Sequence, residues 1–288
     1  MKLNKETKIL IIGLGVIGGG YAAALTRAGY SVNCITKNQK DIDYAMKRGM
    51  IAYGTTRLDE GLIREAELVI FAVYPGVFLD WISENQGLFS PGTLITDVTG
   101  VKGSVVENVQ GILRDDVEFI AAHPMAGRER SGVEYSDPEV FRGANYIVTP
   151  TEKNSGEAIE ICCRLGEVLG FAKISLLSPE EHDKMIAFLS QLTHVIAVTL
   201  MTANNSSGLE KYTGDSFRDL TRIAKINEQM WSELFLLNKE ALLSEMDAFI
   251  DEFREFRRML TEGDKEGMME KMKLSTARRS LFDKPGTN

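Results

Sequence analysis

Cysteine is scarce in this chain, with three in 288 residues. Cys162 and Cys163 are adjacent in a helix-like segment and Cys34 lies far away, so neither a disulfide framework nor a metal-ligand spacing is present. That usage suits a reducing compartment. An excess of positive charge is also lacking: 33 basic residues stand against 41 acidic ones, a formal charge of −8. This balance argues against nucleic acid or an anionic membrane as a partner, so an anionic substrate would have to be held by local cations. The longest mostly apolar stretch, Val195 to Ala203, falls far short of the roughly 20 residues that cross a bilayer. The opening residues, Met1 to Lys8, lead straight into an apolar strand and a glycine turn, too little for a secretory signal. A cytoplasmic protein is expected. Internal repeats and low-complexity segments are missing as well.

What is there is an ordinary soluble composition, 44% hydrophobic and 26% charged, long enough for roughly two domains. Short apolar runs at 9–12, 32–36, 68–73, 94–97, 119–122 and 146–149 alternate with helical segments, the rhythm of βαβ units and a mainly parallel sheet. Beyond Ser178-Pro179-Glu180-Glu181, a helix start with a cap, an N1 proline and an acidic first turn, only helical patterns follow. The expected architecture is α/β: a Rossmann-type, doubly wound, mainly parallel sheet over 1–177, then an all-helical domain over 178–288. Phe249, Phe253, Phe256 and Leu260 form one apolar helix stripe, read either as core within the helical domain or as a subunit interface.

Gly13-Leu14-Gly15-Val16-Ile17-Gly18 stands between an apolar strand and a helix, the context in which G-x-G-x-x-G binds a dinucleotide. Gly13 permits the turn, Gly15 lets a pyrophosphate approach the backbone, and Gly18 lets helix and strand pack closely. At the end of the second strand, where an acidic residue would accept from the ribose 2′-hydroxyl, Thr36 stands, followed by Lys37. NADP preference or dual use is the resulting expectation, with solvated lysines beside an NAD site as the other reading. Val73, Tyr74 and Pro75 end the next strand and are expected on the nicotinamide side. Asp97 ends another, either as a cofactor contact or as a helix N-cap.

A hydride taken from an alcohol carbon needs a base for the hydroxyl proton, and imidazole titrates in the right range. His123, after an apolar run and before a loop, is the candidate. On the helix after Pro179, Asp183, Ser190 and His194 fall within about 20° of one line at about 100° per residue, a polar stripe facing either a cavity or solvent. His182 lies about 120° from His194, so these histidines form no metal pair and no metal is expected. Arg218 and Arg222, four apart, offer guanidinium groups for a carboxylate, or for ordinary ion pairs.

Taken together, Gly13 to Gly19, Asp97-Val98-Thr99-Gly100-Val101-Lys102, His123-Pro124-Met125-Ala126-Gly127 through Gly132, His182-Asp183, Leu189 to His194 and Phe217 to Ala224 resemble the prephenate and arogenate dehydrogenases of tyrosine biosynthesis, in family order and over most of the chain. The resemblance implies oxidative decarboxylation of a cyclohexadienol with NAD or NADP. It implies His123 as proton acceptor, Asp183 orienting it, Arg222 on a substrate carboxylate, His194 as a second polar contact, and Trp231 near the substrate side chain, with core packing the alternative for Trp231; Ser190 and Gln191 are expected to line the substrate. It also implies a homodimer through the helical domain. Two positions depart from the family pattern. Gly100 stands where serine is usual, so Thr99 is expected to supply that hydroxyl. Gln191 and Thr193 replace a histidine and a proline. A β-hydroxyacid dehydrogenase or imine reductase, and a dinucleotide sensor without catalysis, are the competing readings. Any feedback by tyrosine would have to act at the active site.

Overall fold

The structure is a computed structural model that describes residues 2–127 and 132–283. In chain order its regular elements are β1 (Ile9–Ile12), α1 (Val16–Arg27), β2 (Val32–Ile35), α2 (Gln39–Lys47), β3 (Tyr53–Thr55), α3 (Glu60–Glu65), β4 (Leu68–Phe71), α4 (Pro75–Asn85), β5 (Leu94–Asp97) and α5 (Gly103–Ile112). There follow β6 (Glu118–Phe119), β7 (Ala121–Pro124), β8 (Asn145–Thr149), α6 (Gly156–Leu169), β9 (Lys173–Leu176), α7 (Pro179–Ile186), α8 (Thr193–Thr202), α9 (Asp215–Thr221), α10 (Glu228–Leu237), α11 (Lys239–Glu262) and α12 (Lys265–Arg279).

Six strands form one parallel sheet in the order β3-β2-β1-β4-β5-β6. This is the doubly wound Rossmann order, in which the crevice opens at the carboxyl edge where the winding reverses, between β1 and β4. The sequences of β1 and β4, ILII and LVIF, are buried along their whole length, as strands covered on both faces must be. Two apolar clusters result, one on each side: Ile9, Ile11 and Tyr21 belong to the first, Leu10, Ile12 and Phe78 to the second. Three more strands make a smaller sheet, β7-β8-β9, with β7 antiparallel to β8 and β9 parallel to it.

The run expected as one strand at 119–122 is split. Ile120 still donates its N–H to Ile95 O on the large sheet at 3.0 Å, but from Ala121 the chain turns onto the small sheet, where His123 pairs with Ile147. His123 therefore lies inside a strand, not just after one. The unexpected strands β3 and β9 lack apolar runs: Tyr53 is half exposed and Leu176 is 54% exposed.

Ser178 starts α7 as a capping box, its hydroxyl accepting from Glu181 N at 3.1 Å while the Glu181 carboxylate accepts from Ser178 N at 2.9 Å. The helix then continues through a π turn at Ala187–Leu192 into α8. The run Pro179–Thr202 is thus 24 residues long and apolar enough, by length and composition, to cross a membrane, which corrects the sequence estimate based on Val195 to Ala203. Its buried His182, Asp183 and Gln191 are bonded to other protein segments, as buried polar groups must be, so the first half of the run is packed against protein.

Residues 1–239 form one compact unit and residues 240–288 a second. In the second, α11 carries Phe249, Phe253, Phe256 and Leu260 exposed, Phe253 at 68% and Leu260 at 65%.

Candidate active site

Turning β1 into α1, Gly13 adopts φ 96°, and any Cβ there would lie 2.6 Å from both Ala72 O and Val73 Cγ1. A Cβ on Gly18 would meet Gly13 O at 2.2 Å, so α1 sits hard against the strand end only because Gly18 has none. A Cβ on Gly15 would meet nothing within 4 Å. Gly15 is the N-cap of α1, supplies no side-chain cap, and the first turn carries no acidic residue. The first-turn N–H groups and the positive end of the helix dipole therefore face open space, which fits the pyrophosphate of a nicotinamide nucleotide. Leu14 itself is buried, Val16 and Ile17 are half-buried, and Thr36 fixes the loop by accepting from Leu14 N at 3.3 Å. Lys37 is exposed next to it. Arg57, which the sequence reading passed over, lines a depression beyond β3 with Gln39, Thr55 and Thr56; Asp59 also borders it, but its carboxylate caps α3 through Leu62 N.

On the other side of the switch point, Val73 packs beside the glycine loop, Pro75 opens α4, and the Tyr74 hydroxyl accepts from Asn227 at 3.3 Å. The Glu233 carboxylate accepts from Gly76 N at 2.5 Å, which ties α10 to the start of α4.

Asp97 and Thr99 are not presented to a cleft. Asp97 is fully buried and accepts from Ala122 N at 3.1 Å, Thr99 N at 3.0 Å, the Thr99 hydroxyl, and Lys102 Nζ at 2.7 Å. Lys102 is also fully buried and gives a second bond to the Thr99 hydroxyl at 3.1 Å. The expectations of a cofactor contact from Asp97 and a catalytic hydroxyl from Thr99 are corrected accordingly: both side chains are spent on holding the buried ammonium and the loop after β5. Lys102 is the centre of that cluster.

His123 meets a partner that the sequence reading set aside. Its Nδ1 lies 2.9 Å from His182 Nε2, and His182 Nδ1 lies 2.7 Å from Asp183 Oδ1. Asp183 also accepts from Lys102 N and Gly103 N, each at 2.7 Å. Asp183 thus reaches His123 through His182 and not directly. Burial, then the neighbouring His182, then Lys102 hold the His123 imidazole well below its ordinary 6.5, so it rests neutral at physiological pH. Burial likewise lowers His182, against the pull of Asp183. Gly100 faces the free edge of this base: a Cβ there would lie 4.0 Å from His123 Nε2 and 3.5 Å from Leu234 Cδ1.

The π turn alters the helix face on which Asp183, Ser190 and His194 were expected to align. Gln191 is buried, donating to Leu234 O at 3.0 Å and accepting from Asn238 at 2.8 Å, while Asn238 also donates to Asp183 O at 2.9 Å. Its amide joins α10 to the π turn, a fastening role in place of the expected substrate contact. His194 Nδ1 lies 2.8 Å from Ser190 O, and its ring stacks on Trp231 with centroids 3.8 Å apart. Arg222 is exposed in the turn after α9, and Arg218 pairs with Asp215 at 3.0 Å. Arg128 to Ser131 of the His123 segment lie outside the described residues. Burial pushes the Cys34 and Cys162 thiols up to about 12, which removes them as nucleophiles.

Residues 21–175 match the prephenate dehydrogenase nucleotide-binding domain and residues 178–274 the prephenate dehydrogenase dimerization domain. The prephenate dehydrogenase of Bacillus subtilis is 32% identical over 279 residues, 93% of this chain and 74% of that protein. The cyclohexadienyl dehydrogenase of Zymomonas mobilis is 31% identical over 94% of each. The crystal structure of prephenate dehydrogenase from A. aeolicus in complex with hydroxyphenyl propionate and NAD+ has a TM-score of 0.90 at 29% identity, covering 98% of this chain and 100% of that one. With both domain families matched in order, the chain belongs to the prephenate dehydrogenase family of NAD(P)-dependent oxidoreductases.

Proposed function

We propose that this enzyme oxidises and decarboxylates prephenate to 4-hydroxyphenylpyruvate, with residues 1–177 holding the nucleotide and 178–288 completing the substrate site and the dimer. The observation that carries the reading is the neutral His123, held through Nδ1, with Nε2 on the side of Gly100, 4.0 Å from where a Cβ there would lie. A base of this kind is what removal of a hydroxyl proton requires. Bound at the glycine loop, the nicotinamide nucleotide supplies the hydride acceptor. Val73, Tyr74 and Pro75 would border its nicotinamide side. His123 takes the proton from the ring hydroxyl, Asp183 acts on it through His182, and Arg222 pairs with a substrate carboxylate. Ser190, His194 and Trp231 frame the substrate, the stacked imidazole and indole giving one flat wall. Arogenate is the second reading, supported by a likeness at 22% identity to the probable arogenate/prephenate dehydrogenase of Methanocaldococcus jannaschii. Assays of both compounds, read by the absorbance of reduced nicotinamide, test the proposal; absence of turnover on prephenate overturns it.

Each charge-assisted hydrogen bond contributes a net of about 1.5–3 kcal/mol, so Arg222→Ala is expected to raise KM for prephenate about 10- to 100-fold. An unchanged KM contradicts the carboxylate role. Of the two nucleotides, NADP is the one Lys37 and Arg57 favour, since no carboxylate at Thr36 opposes a 2′-phosphate. Initial rates should give the higher kcat/KM with NADP, and a clear preference for NAD sinks that assignment. A homodimer is supported by the match of 178–274 to a dimerization domain and by the exposed Phe253 and Leu260 on α11. Phe188 and Leu189, exposed on the π turn, would be covered in the same way.

A further inference from the structure

The direction of every hydrogen bond in the His123 row can be assigned from its far end. Lys102 N and Gly103 N are backbone groups and can only donate, so Asp183 accepts from both. A carboxylate held in this way accepts the third bond too, which puts the proton of His182 on Nδ1. Neutral His182 then has a bare Nε2, which must accept from His123 Nδ1–H at 2.9 Å. The one nitrogen of the row left without a proton is His123 Nε2, which lies on the side of Gly100, 4.0 Å from where a Cβ there would sit. No hydroxyl side chain stands at Gly100 to steady this base, and the imidazole row supports it from behind.

The chemistry asks for more than a fixed tautomer. A cyclohexadienol enters with a hydroxyl group and the aromatic product leaves as a phenol. The proton taken from that oxygen as hydride leaves the ring carbon must be given back to it once the carbon–carboxylate bond breaks and carbon dioxide departs. There is no net proton release, so the base has to keep the proton between the two events. We infer that His182 is a positioning residue that takes up this proton through His123 and returns it: Nε2 of His123 gains the substrate proton, Nδ1 of His123 passes its own to Nε2 of His182, and the transfers reverse when the phenol forms. His182 is fully buried, so the stored proton is kept from solvent. The charge it creates lies against Asp183 at 2.7 Å. Lys102 and Asp97 are the other charged groups that act on His182, and His182 and Lys102 those that act on His123.

The inference rests on the proposed cyclohexadienol reaction, and its test separates the two. The chain has only three histidines, so 15N-histidine labelling gives a spectrum in which each ring can be assigned, without substrate and without a variant. The expected result is His123 and His182 both protonated on Nδ1, with a coupling across the His123 Nδ1–His182 Nε2 bond; an Nε2–H tautomer of His123 overturns the inference. His182→Gln keeps an acceptor for His123 but cannot carry a proton, and should lower kcat by about 10²-fold, at the lower end of what proton-transfer groups contribute. Its KM for prephenate and its nucleotide dissociation constant should stay near the wild-type values, while the acid limb of the kcat profile shifts. A folded His182→Gln enzyme with wild-type kcat and pH profile also overturns the inference. Wild-type enzyme inactive on both prephenate and arogenate removes the reaction on which the inference rests, a result distinct from either.

Discussion

Asparagine at position 123 is expected to cost about 10³-fold in kcat, within the range that a lost general base commands, or about 4 kcal/mol of transition-state stabilisation. Asparagine fills much of the same space and can still donate toward His182, so the strand pairing of β7 with β8 at Ile147 has no reason to change. What it cannot do is take a proton. Nucleotide affinity, measured by fluorescence titration, should therefore be unaltered, because the glycine loop and Thr36 lie on other strands. The wild-type pH profile carries the sign of the same argument. A base works unprotonated, and burial holds His123 well below its ordinary 6.5, so the acid limb of kcat/KM should lie below that value. Wild-type turnover in His123→Asn, or an acid limb above the free imidazole value, would assign proton removal to another group.

The parts of this site that could be read from the sequence are those whose reason is local. Gly13, Gly15 and Gly18 announce a turn, an open approach and a close packing within six residues, and each was found doing that. Ser178, Pro179 and Glu181 announce a helix start in the same way. His182 was missed because its significance is not local: it depends on β7 leaving the large sheet at Ile120 and bringing His123 against α7. The phase of the following helix was misread for a physical reason. At about 100° per residue Leu192 falls opposite Asp183, yet it is buried, because the π turn at Ala187–Leu192 shifts the face that follows. Gln191, off the expected polar stripe, is thereby buried. Such bulges leave no mark in hydrophobic periodicity and gather at functional sites. The Asp97–Lys102 pair was likewise hidden, since a lysine five residues after a strand-end aspartate looks like any solvated side chain until both prove to be fully enclosed.

That pair gives the second large effect. Lys102 Nζ lies 2.7 Å from Asp97 and neither side chain is exposed, yet burial lowers the lysine's pKa despite the carboxylate. Desolvation therefore outweighs the attraction, and the pair adds little net stability compared with an apolar substitute. Removing one partner is another matter, because the remaining charge stays buried and unpaired. Lys102→Met is expected to destabilise the protein by about 3–5 kcal/mol, read from urea unfolding by linear extrapolation. Asp97→Asn in the same chain should recover part of this, since an amide carries no charge. The recovery is incomplete because Asp97 uses both oxygens, one for Ala122 N and the other for Thr99 N, and asparagine offers only one. A loss under about 1 kcal/mol in the single variant, the scale of an exposed ion pair, would mean that water reaches the ammonium. The single variant should also slow turnover beyond its effect on folding. Lys102 N and Gly103 N hold the Asp183 carboxylate, and Asp183 is the anchor from which the His182 and His123 tautomers are set. Loosening the loop at its buried end therefore reaches the base through three hydrogen bonds, and the double variant that recovers part of the stability should recover part of the turnover with it.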